Sequence, residues 1–516
     1  MKSMIISGAS LLALAIATPA LAQSTSDILQ TGNSNAANVT QSGSNASDVD
    51  QIGNSNAATV GQQGTDGDSS ILQTGNSNRA NTTQNTIGGL ADVVQTGNSN
   101  QSDITQTDGN AGGNLGVAGK DPEVSVTQTG NSNLSDVTQT NSAVSFDLIT
   151  TVNQTGDAND STVSQSASGA GSGNLNASVT QADGATSIIN QTTVAGSGSV
   201  NQDAIVNQTG ANFSDISQTF SLNGSNDFLA TVTQSGAGNE SIITQADLGS
   251  LANTIPDENL TATVNQSGND NTSTIDQLNK FATATVTQSG NNNESDIGQN
   301  GSDSLNAIVL QTGDDNGSTI TQSGHTNLAD VFQAGIGATS EVTQSGRTNE
   351  AFIDQLVGSD GSSSIVSQTG SAITRQDNRI NVTQSAANNE SEVTQSGFNS
   401  RAVVDQTGPG NQSTIEQIGT VDLAGTFAIS NRAEVLQSGA DNISDVSQNG
   451  SFNTALLEQS GADNTSDVGQ TGNNNLSDIL QDGSNNTATV TQTTDGNISN
   501  IIQSGTGGSV TVTQGN

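Results

Sequence analysis

A glutamine returns every eleven residues along most of this chain, and that spacing constrains the fold more than any other feature. Aligned on it, the sequence reads Q-x-G-x-x-N-x-[S/A]-x-[V/I]-x-Q from Gln30 to Gln514. Gln30-Thr-Gly32-Asn-Ser-Asn35-Ala-Ala37-Asn-Val39-Thr-Gln41 is one clear unit, and Gln459-Ser-Gly461-Ala-Asp-Asn464-Thr-Ser466-Asp-Val468-Gly-Gln470 is another. The small residue, the Val or Ile and the Gln fall on alternate positions, which is the period of a β-strand. Gly two residues after Gln, and Asn three residues later, mark a tight arc that tolerates positive φ. Each unit is therefore a short strand and a turn, and nothing after Ala22 reads as a helix.

Following the small residue doubles the period. Ala230-Thr-Val232, Ala262-Thr-Val264, Ala284-Thr-Val286 and Ala402-Val-Val404 belong to one set of units. Ser214-Asp-Ile216, Ser273-Thr-Ile275, Ser295-Asp-Ile297 and Ser444-Asp-Val446 belong to the other. The two types mostly alternate between Gln106 and Gln470, so the natural repeat is about 22 residues with two strands. Longer spacings between glutamines, at 106–128, 139–154, 165–181, 191–208, 218–234, 245–266, 368–384 and 417–437, each follow a Ser-type unit and precede an Ala-type unit. Insertions that keep such a phase are expected along one edge of a stack, most densely over 106–266. Neighbouring units are of one type at Gln84–Gln95 and Gln470–Gln481, where an irregular rung or degenerate half-repeat is expected.

The fold class read from this pattern is all-β: an amyloid-like β-solenoid of roughly twenty two-strand rungs, spaced about 4.8 Å apart. Composition explains why the repeated residue is an amide. Hydrophobic residues make up 30% of the chain and aromatics 2%, with no Cys or Trp, so no ordinary core and no disulfide is available. Two buried Val or Ile side chains per rung offset only a small part of the cost of ordering about 22 residues. Hydrogen bonding between rungs must supply much of the rest. A buried Gln needs partners, and identical amides stacked in register provide them. Gln30, Gln41, Gln51, Gln62, Gln128, Gln139, Gln288, Gln299, Gln459 and Gln470 are accordingly expected in an inward amide ladder, with Gly32, Asn35, Gly130 and Asn133 at turns.

The first residues, MKSMIISGASLLALAIATPALAQ, have the form of a secretory signal peptide. Lys2 precedes a short apolar stretch, and Ala20-Leu21-Ala22 is a small-x-small cleavage site. The chain therefore divides into a signal peptide, 1–22, and one repeat region, 23–516, exported and not membrane-embedded. A formal net charge of −40 would repel nucleic acid and anionic lipid.

The chain resembles the curlin repeat family, whose members share S-x5-Q-x-G-x-G-N-x-A-x3-Q. Gln51-Ile-Gly53-Asn-Ser-Asn56-Ala-Ala58-Thr-Val60-Gly-Gln62 matches the Q-x-G…N…A…Q portion, with the second Gly commonly replaced by Ser, Asn or Asp. The resemblance implies an extracellular functional amyloid of the biofilm matrix, acting in adhesion and aggregation. It implies self-assembly into curli-like fibres, with a nucleator subunit and an outer-membrane secretion channel as further partners. The array is longer than in the usual curlin subunit, Tyr is absent, and the segment that addresses a subunit to the curli channel is nearly missing. A monomeric solenoid adhesin is the alternative.

Few other residues suggest chemistry. Outward Asp103, Asp136, Asp215, Asp296, Asp445 and Asp467 form a candidate acidic ladder, read as a solubilising face, a brake on association, or a collector of Ca²⁺. Thr231/Thr233, Thr285/Thr287 and Thr489/Thr491 suggest an ice-binding face, but Leu310, Phe352, Val403 and Glu434 interrupt it. The single His, His325, stands in a turn, and no catalytic grouping or resident cofactor is implied.

Overall fold

The computed structural model describes residues 23–108, 121–142, 145–169, 172–195, 199–221, 226–247, 258–279, 281–370, 377–419 and 430–515. Forty strands and no helix occur among them, numbered here in chain order from β1 (Thr25–Thr31) to β40 (Ser509–Gln514). Odd-numbered strands form one parallel sheet and even-numbered strands the other. Each strand pairs with the strand two places on, so two strands make one rung of a β-solenoid and the described chain makes twenty.

The strand period decides what enters the core. In β10 (Leu134–Asn141), Ser135, Val137 and Gln139 are buried while Asp136 faces solvent. The register repeats this rung after rung: Ser135, Val137 and Gln139 oppose Ser102, Ile104 and Gln106 on one side, and Ser161, Val163 and Gln165 on the other. The Ala, Val, Ile and Leu side chains so aligned make one continuous apolar column from Val49 to Ile501.

The expectation of an irregular rung at the two phase slips is corrected. β7 (Leu90–Asn98) pairs in unbroken register with β5 (Asp68–Asn76) and β9 (Glu123–Asn131). β37 (Leu476–Ser484) does the same with β35 (Thr454–Gln459) and β39 (Ile498–Thr506). What changes is the sheet on which each type lies. The odd sheet carries Ser26, Ser47 and Ser69, then Ala91 and mostly Ala up to Ala455, then Ser477 and Ser499. The even sheet carries Ala37, Ala58 and Ala80, then Ser102 and Ser throughout up to Ser466, then Ala488 and Val510. Rungs beside an exchange still hold one Ser and one Ala, as with Ser69 and Ala80 or Ala91 and Ser102. Ser and Ala are each accommodated on either sheet, so the step of eleven continues undisturbed.

The insertions also do something that periodicity does not reveal. The segments 109–120, 143–144, 170–171, 196–198, 222–225, 248–257, 371–376 and 420–429 lie outside the described residues. Each has an even strand before it and an odd strand after it, so the described flanks leave and return at the same edge. From β11 (Ser145–Thr155) to β19 (Glu258–Asn269) those flanks continue as strand, and the odd strands there reach eleven or twelve residues. The added residues bury a second core of Phe146, Leu148, Ala167, Leu175, Val200, Phe220, Phe228, Leu260, Ala282 and Leu305. Phe220 and Phe228 meet edge to face with ring centroids 6.3 Å apart.

Candidate functional site: the amide ladders and the open edges

The inward glutamines stand in two columns, one per sheet. In the odd sheet Gln30 Nε2 donates to Gln51 Oε1 at 2.6 Å, Gln51 to Gln73 at 2.8 Å, and Gln128 to Gln154 at 2.8 Å. The series passes through Gln288, which donates to Gln311 at 2.8 Å, and Gln459, which donates to Gln481 at 2.9 Å, and it ends with Gln481 donating to Gln503 at 2.9 Å. In the even sheet Gln41 donates to Gln62 at 2.7 Å, Gln139 to Gln165 at 2.8 Å, Gln299 to Gln322 at 2.9 Å, and Gln470 to Gln492 at 3.0 Å. Gln492 closes that column by donating to Gln514 at 2.8 Å. Every one of these bonds runs the same way, from the amide nitrogen of one rung to the amide oxygen of the next rung toward the C-terminus.

A second contact, absent from the sequence reading, uses the other amide hydrogen. Gln51 Nε2 also donates to the carbonyl of Ala36 at 3.0 Å, and Gln62 Nε2 to that of Ala46 at 2.9 Å. Each acceptor is the first residue of a strand in the opposite sheet, so the amide ties the rung's two sheets together at the corner. Both N–H groups and the oxygen of an interior Gln are thereby satisfied. These carbonyls lie mostly sixteen residues before the Gln that binds them, on residues of differing type such as Ala46, Ala57 and Asp68.

The arcs use their residues in distinct ways. Gly32 has φ of 116° and Gly130 has φ of 124°, and a Cβ on either would fall within 2 Å of the next rung's glycine carbonyl oxygen. Asn35 Nδ2 donates to the carbonyls of Thr31 at 3.1 Å and Gly53 at 3.0 Å, and its Oδ1 accepts from Asn56 N at 3.0 Å. Asn133 donates to Asn100 Oδ1 and to the Gly156 carbonyl, and it accepts in turn from Asn159. The family's second Gly is replaced by residues held at left-handed φ, among them Ser34 at 60°, Ser132 at 59° and Asp463 at 56°.

The outward aspartates do not form one ladder. Asp103 and Asp136 are register partners on adjacent rungs, as are Asp445 and Asp467. Asp215 lies between Ile188 and Ile242, and Asp296 between Thr274 and Thr319. Partial desolvation against the sheet face pushes the solvent-facing Asp136 carboxyl above the usual carboxylate range, with Asp103 and Asp160 adding to it. Burial likewise raises Asp445, with Asp467 and Glu416 contributing, and burial alone raises Asp215. Asp103 accepts from Asn81 and Gln101 and lies 3.8 Å from the Arg79 guanidinium. Among the described residues no three His, Cys, Asp or Glu side chains gather as a metal-binding group. His325 ends a strand beside Arg347. Ala20 and Ala22 lie outside the described residues, and no helix among the described residues is long and apolar enough to cross a membrane.

The two columns reach both edge rungs. β1 is exposed along its length, and at the opposite edge Ile498 and Ile502 are exposed. Gln30 and Gln41 leave their Oε1 atoms outermost at one edge. Gln503 and Gln514 leave Nε2 outermost at the other, each amide using one hydrogen on its corner carbonyl, of Thr487 or Ile498. Chemically, then, one edge accepts hydrogen bonds where the other donates them, and each presents strand backbone ready to pair.

Seven segments of the chain match the curlin associated repeat, at residues 313–346, 339–370, 376–408, 387–419, 439–472, 461–493 and 472–505. No curated protein matches the chain.

Proposed function

The chain belongs to the curlin repeat family, and from that premise we propose that it is a secreted structural protein that self-assembles into curli-like amyloid fibres of the extracellular matrix. In this reading residues 1–22 direct export and are removed after Ala22. The function is mechanical and adhesive, carried by the stack as a whole and not by a pocket. A nucleator subunit and an outer-membrane channel are the further partners the family suggests.

One observation supports this reading above the others: both amide ladders run through to edge rungs where, among the described residues, they find no further partner. A rung at such an edge has unmet backbone and amide groups, and a further copy of the same rung is the surface that satisfies them. Incubating the purified chain, freed of residues 1–22, should give dye-positive fibres with a cross-β reflection near 4.8 Å. A persistent monomer of unchanged sedimentation, with no such reflection, would instead identify a solitary solenoid adhesin.

A further inference from the structure

The strand extensions beside the insertions build an outer face as well as a second core. An ordinary odd strand such as β33 (Arg432–Gln437) begins one residue before its small Ala433. β13 (Ser172–Ala182), β15 (Ser199–Thr209), β17 (Asn226–Ala237) and β19 begin earlier, so the strand period adds outward positions along with the inward ones. Where Phe228 turns inward, Asp227 and Leu229 turn outward and are exposed. Asn201, Asp227 and Asn259 stand in register on three successive rungs. A second column, Asn176, Asp203 and Leu229, runs beside them. Together these side chains line a groove of about 460 Å³ on the outer face of the odd sheet.

We propose that this groove binds a linear, uncharged polysaccharide lying along the stack. Two amide–carboxylate pairs carry the recognition. Asn176 Nδ2 donates to Asp203 Oδ1 at 2.6 Å, and Asn201 Nδ2 donates to Asp227 Oδ1 at 2.7 Å. Each bond uses one amide hydrogen and one carboxylate oxygen. The second amide hydrogen, the amide oxygen and the other carboxylate oxygen of each pair remain for a ligand. A donor and an acceptor held side by side suit neighbouring sugar hydroxyls, each of which both gives and takes a hydrogen bond. The two members of a pair also orient each other before any ligand arrives, which lowers the ordering cost of binding. Leu229, 36% exposed, offers its methyl groups to the C–H face of a sugar ring. The pairs recur one rung apart, so a polymer of repeating units engages both.

Charge selects against the other ligand classes. Among the described residues the lining holds the carboxylates of Asp203 and Asp227 and no Lys, Arg or His. In a chain of net charge −40 such a groove repels acidic polysaccharide and nucleic acid. A metal cation is poorly served as well. Leu229, and not a further carboxylate, stands opposite Asp203, while Asp227 lies between the amides of Asn201 and Asn259. The groove lies on the outer face of the stack, so the proposal holds for a single solenoid and for a fibre alike.

Equilibrium dialysis of fluorescently labelled oligosaccharides of β-linked glucose, mannose and N-acetylglucosamine against the purified chain reads binding by monomer and fibre alike. At least one should bind saturably, with an affinity unchanged in half-molar salt. Asn201→Ala and Asn259→Ala should each weaken that affinity by about five-fold, the effect of losing one hydrogen bond to the ligand. Asn259 is exposed, so its replacement tests the groove without disturbing the core. Thr263→Ala, further along β19 and outside the groove, should bind as the unaltered chain does. Saturable binding that both asparagine variants leave intact would overturn the groove as the site. Failure of all three sugars to bind, or binding of polylysine alone that half-molar salt abolishes, would overturn the ligand class. Neither failure bears on fibre formation, which the cross-β reflection tests separately.

Discussion

Gln128 Nε2 donates to Gln154 Oε1 at 2.8 Å and to the Gln101 carbonyl at 2.9 Å, so one buried amide joins two rungs and two sheets at once. Gln95 donates in turn to Gln128 Oε1 at 2.8 Å. Gln128→Leu would leave one amide hydrogen of Gln95, whose other still reaches the Arg79 carbonyl, and the Gln154 oxygen unpaired in the interior, at a cost of about 2–5 kcal/mol. Gln128→Glu keeps the shape but sets a carboxylate oxygen against two acceptors, which raises its pKa. Its destabilisation should be full at neutral pH and relieved as pH falls through that raised value, when a proton restores one donor. Urea midpoints at pH 4 and 7 for both variants test this. Equal losses for Glu at both pH values would contradict the ladder geometry.

Two substitutions two residues apart should have opposite signs. Gly130 has φ of 124°, and a Cβ there would lie 1.9 Å from the Gly156 carbonyl oxygen. Gly130→Ala must therefore force neighbouring rungs apart and should cost about 3 kcal/mol or more. Ser132 sits at φ of 59°, where a side chain is strained and glycine is not. Ser132→Gly should stabilise the chain by up to about 1 kcal/mol. Thermal unfolding of the two variants separates steric from conformational effects. A loss of stability for Ser132→Gly would show that its side chain contributes more than its backbone strain removes.

The main stack was legible in the sequence because each rung repeats one test of periodicity: Gln128 and Gln139 stand in phase with every neighbour. The acidic ladder was legible only in part, since Asp103–Asp136 and Asp445–Asp467 share a face with Ile188, Ile242 and Thr274 between them. The corner contacts were missed because they join a side chain to a backbone carbonyl, and backbone atoms have no residue signature. The second core was hidden for a different reason. Phe146, Phe220 and Phe228 lie outside the eleven-residue phase, so they read as insertion content, and only the strand extensions beside the insertions bring them together.

That second core has its own test. Phe228 is 1% exposed and packs edge to face on Phe220. Phe228→Ala should cost about 3–5 kcal/mol locally. Because each rung contacts mainly its neighbours, hydrogen-exchange protection should fall around β17 (Asn226–Ala237) and β19 while β35 to β40 remain protected. Uniform loss along the whole chain would mean that the solenoid unfolds as a single cooperative unit.

Acid should strengthen the stack, and the cause of each carboxyl shift says how salt must differ from acid. Burial is the first cause at Asp136, Asp160, Asp215 and Asp445, with neighbouring carboxylates second at Asp136 and Asp445. A raised acid binds its proton more tightly folded than unfolded, so stability falls as pH rises from the ordinary carboxylate value through the raised one. The stack should therefore resist urea better near pH 4 than at pH 7, and seeded growth should be faster there. Salt at pH 7 screens the repulsion of Asp136 by Asp103 but leaves the burial cost in place. Half-molar salt should accordingly recover only part of the acid effect. Full recovery by salt would assign the shifts to charge repulsion. No gain from acid would mean that these carboxyls are as well solvated in the stack as in the unfolded chain.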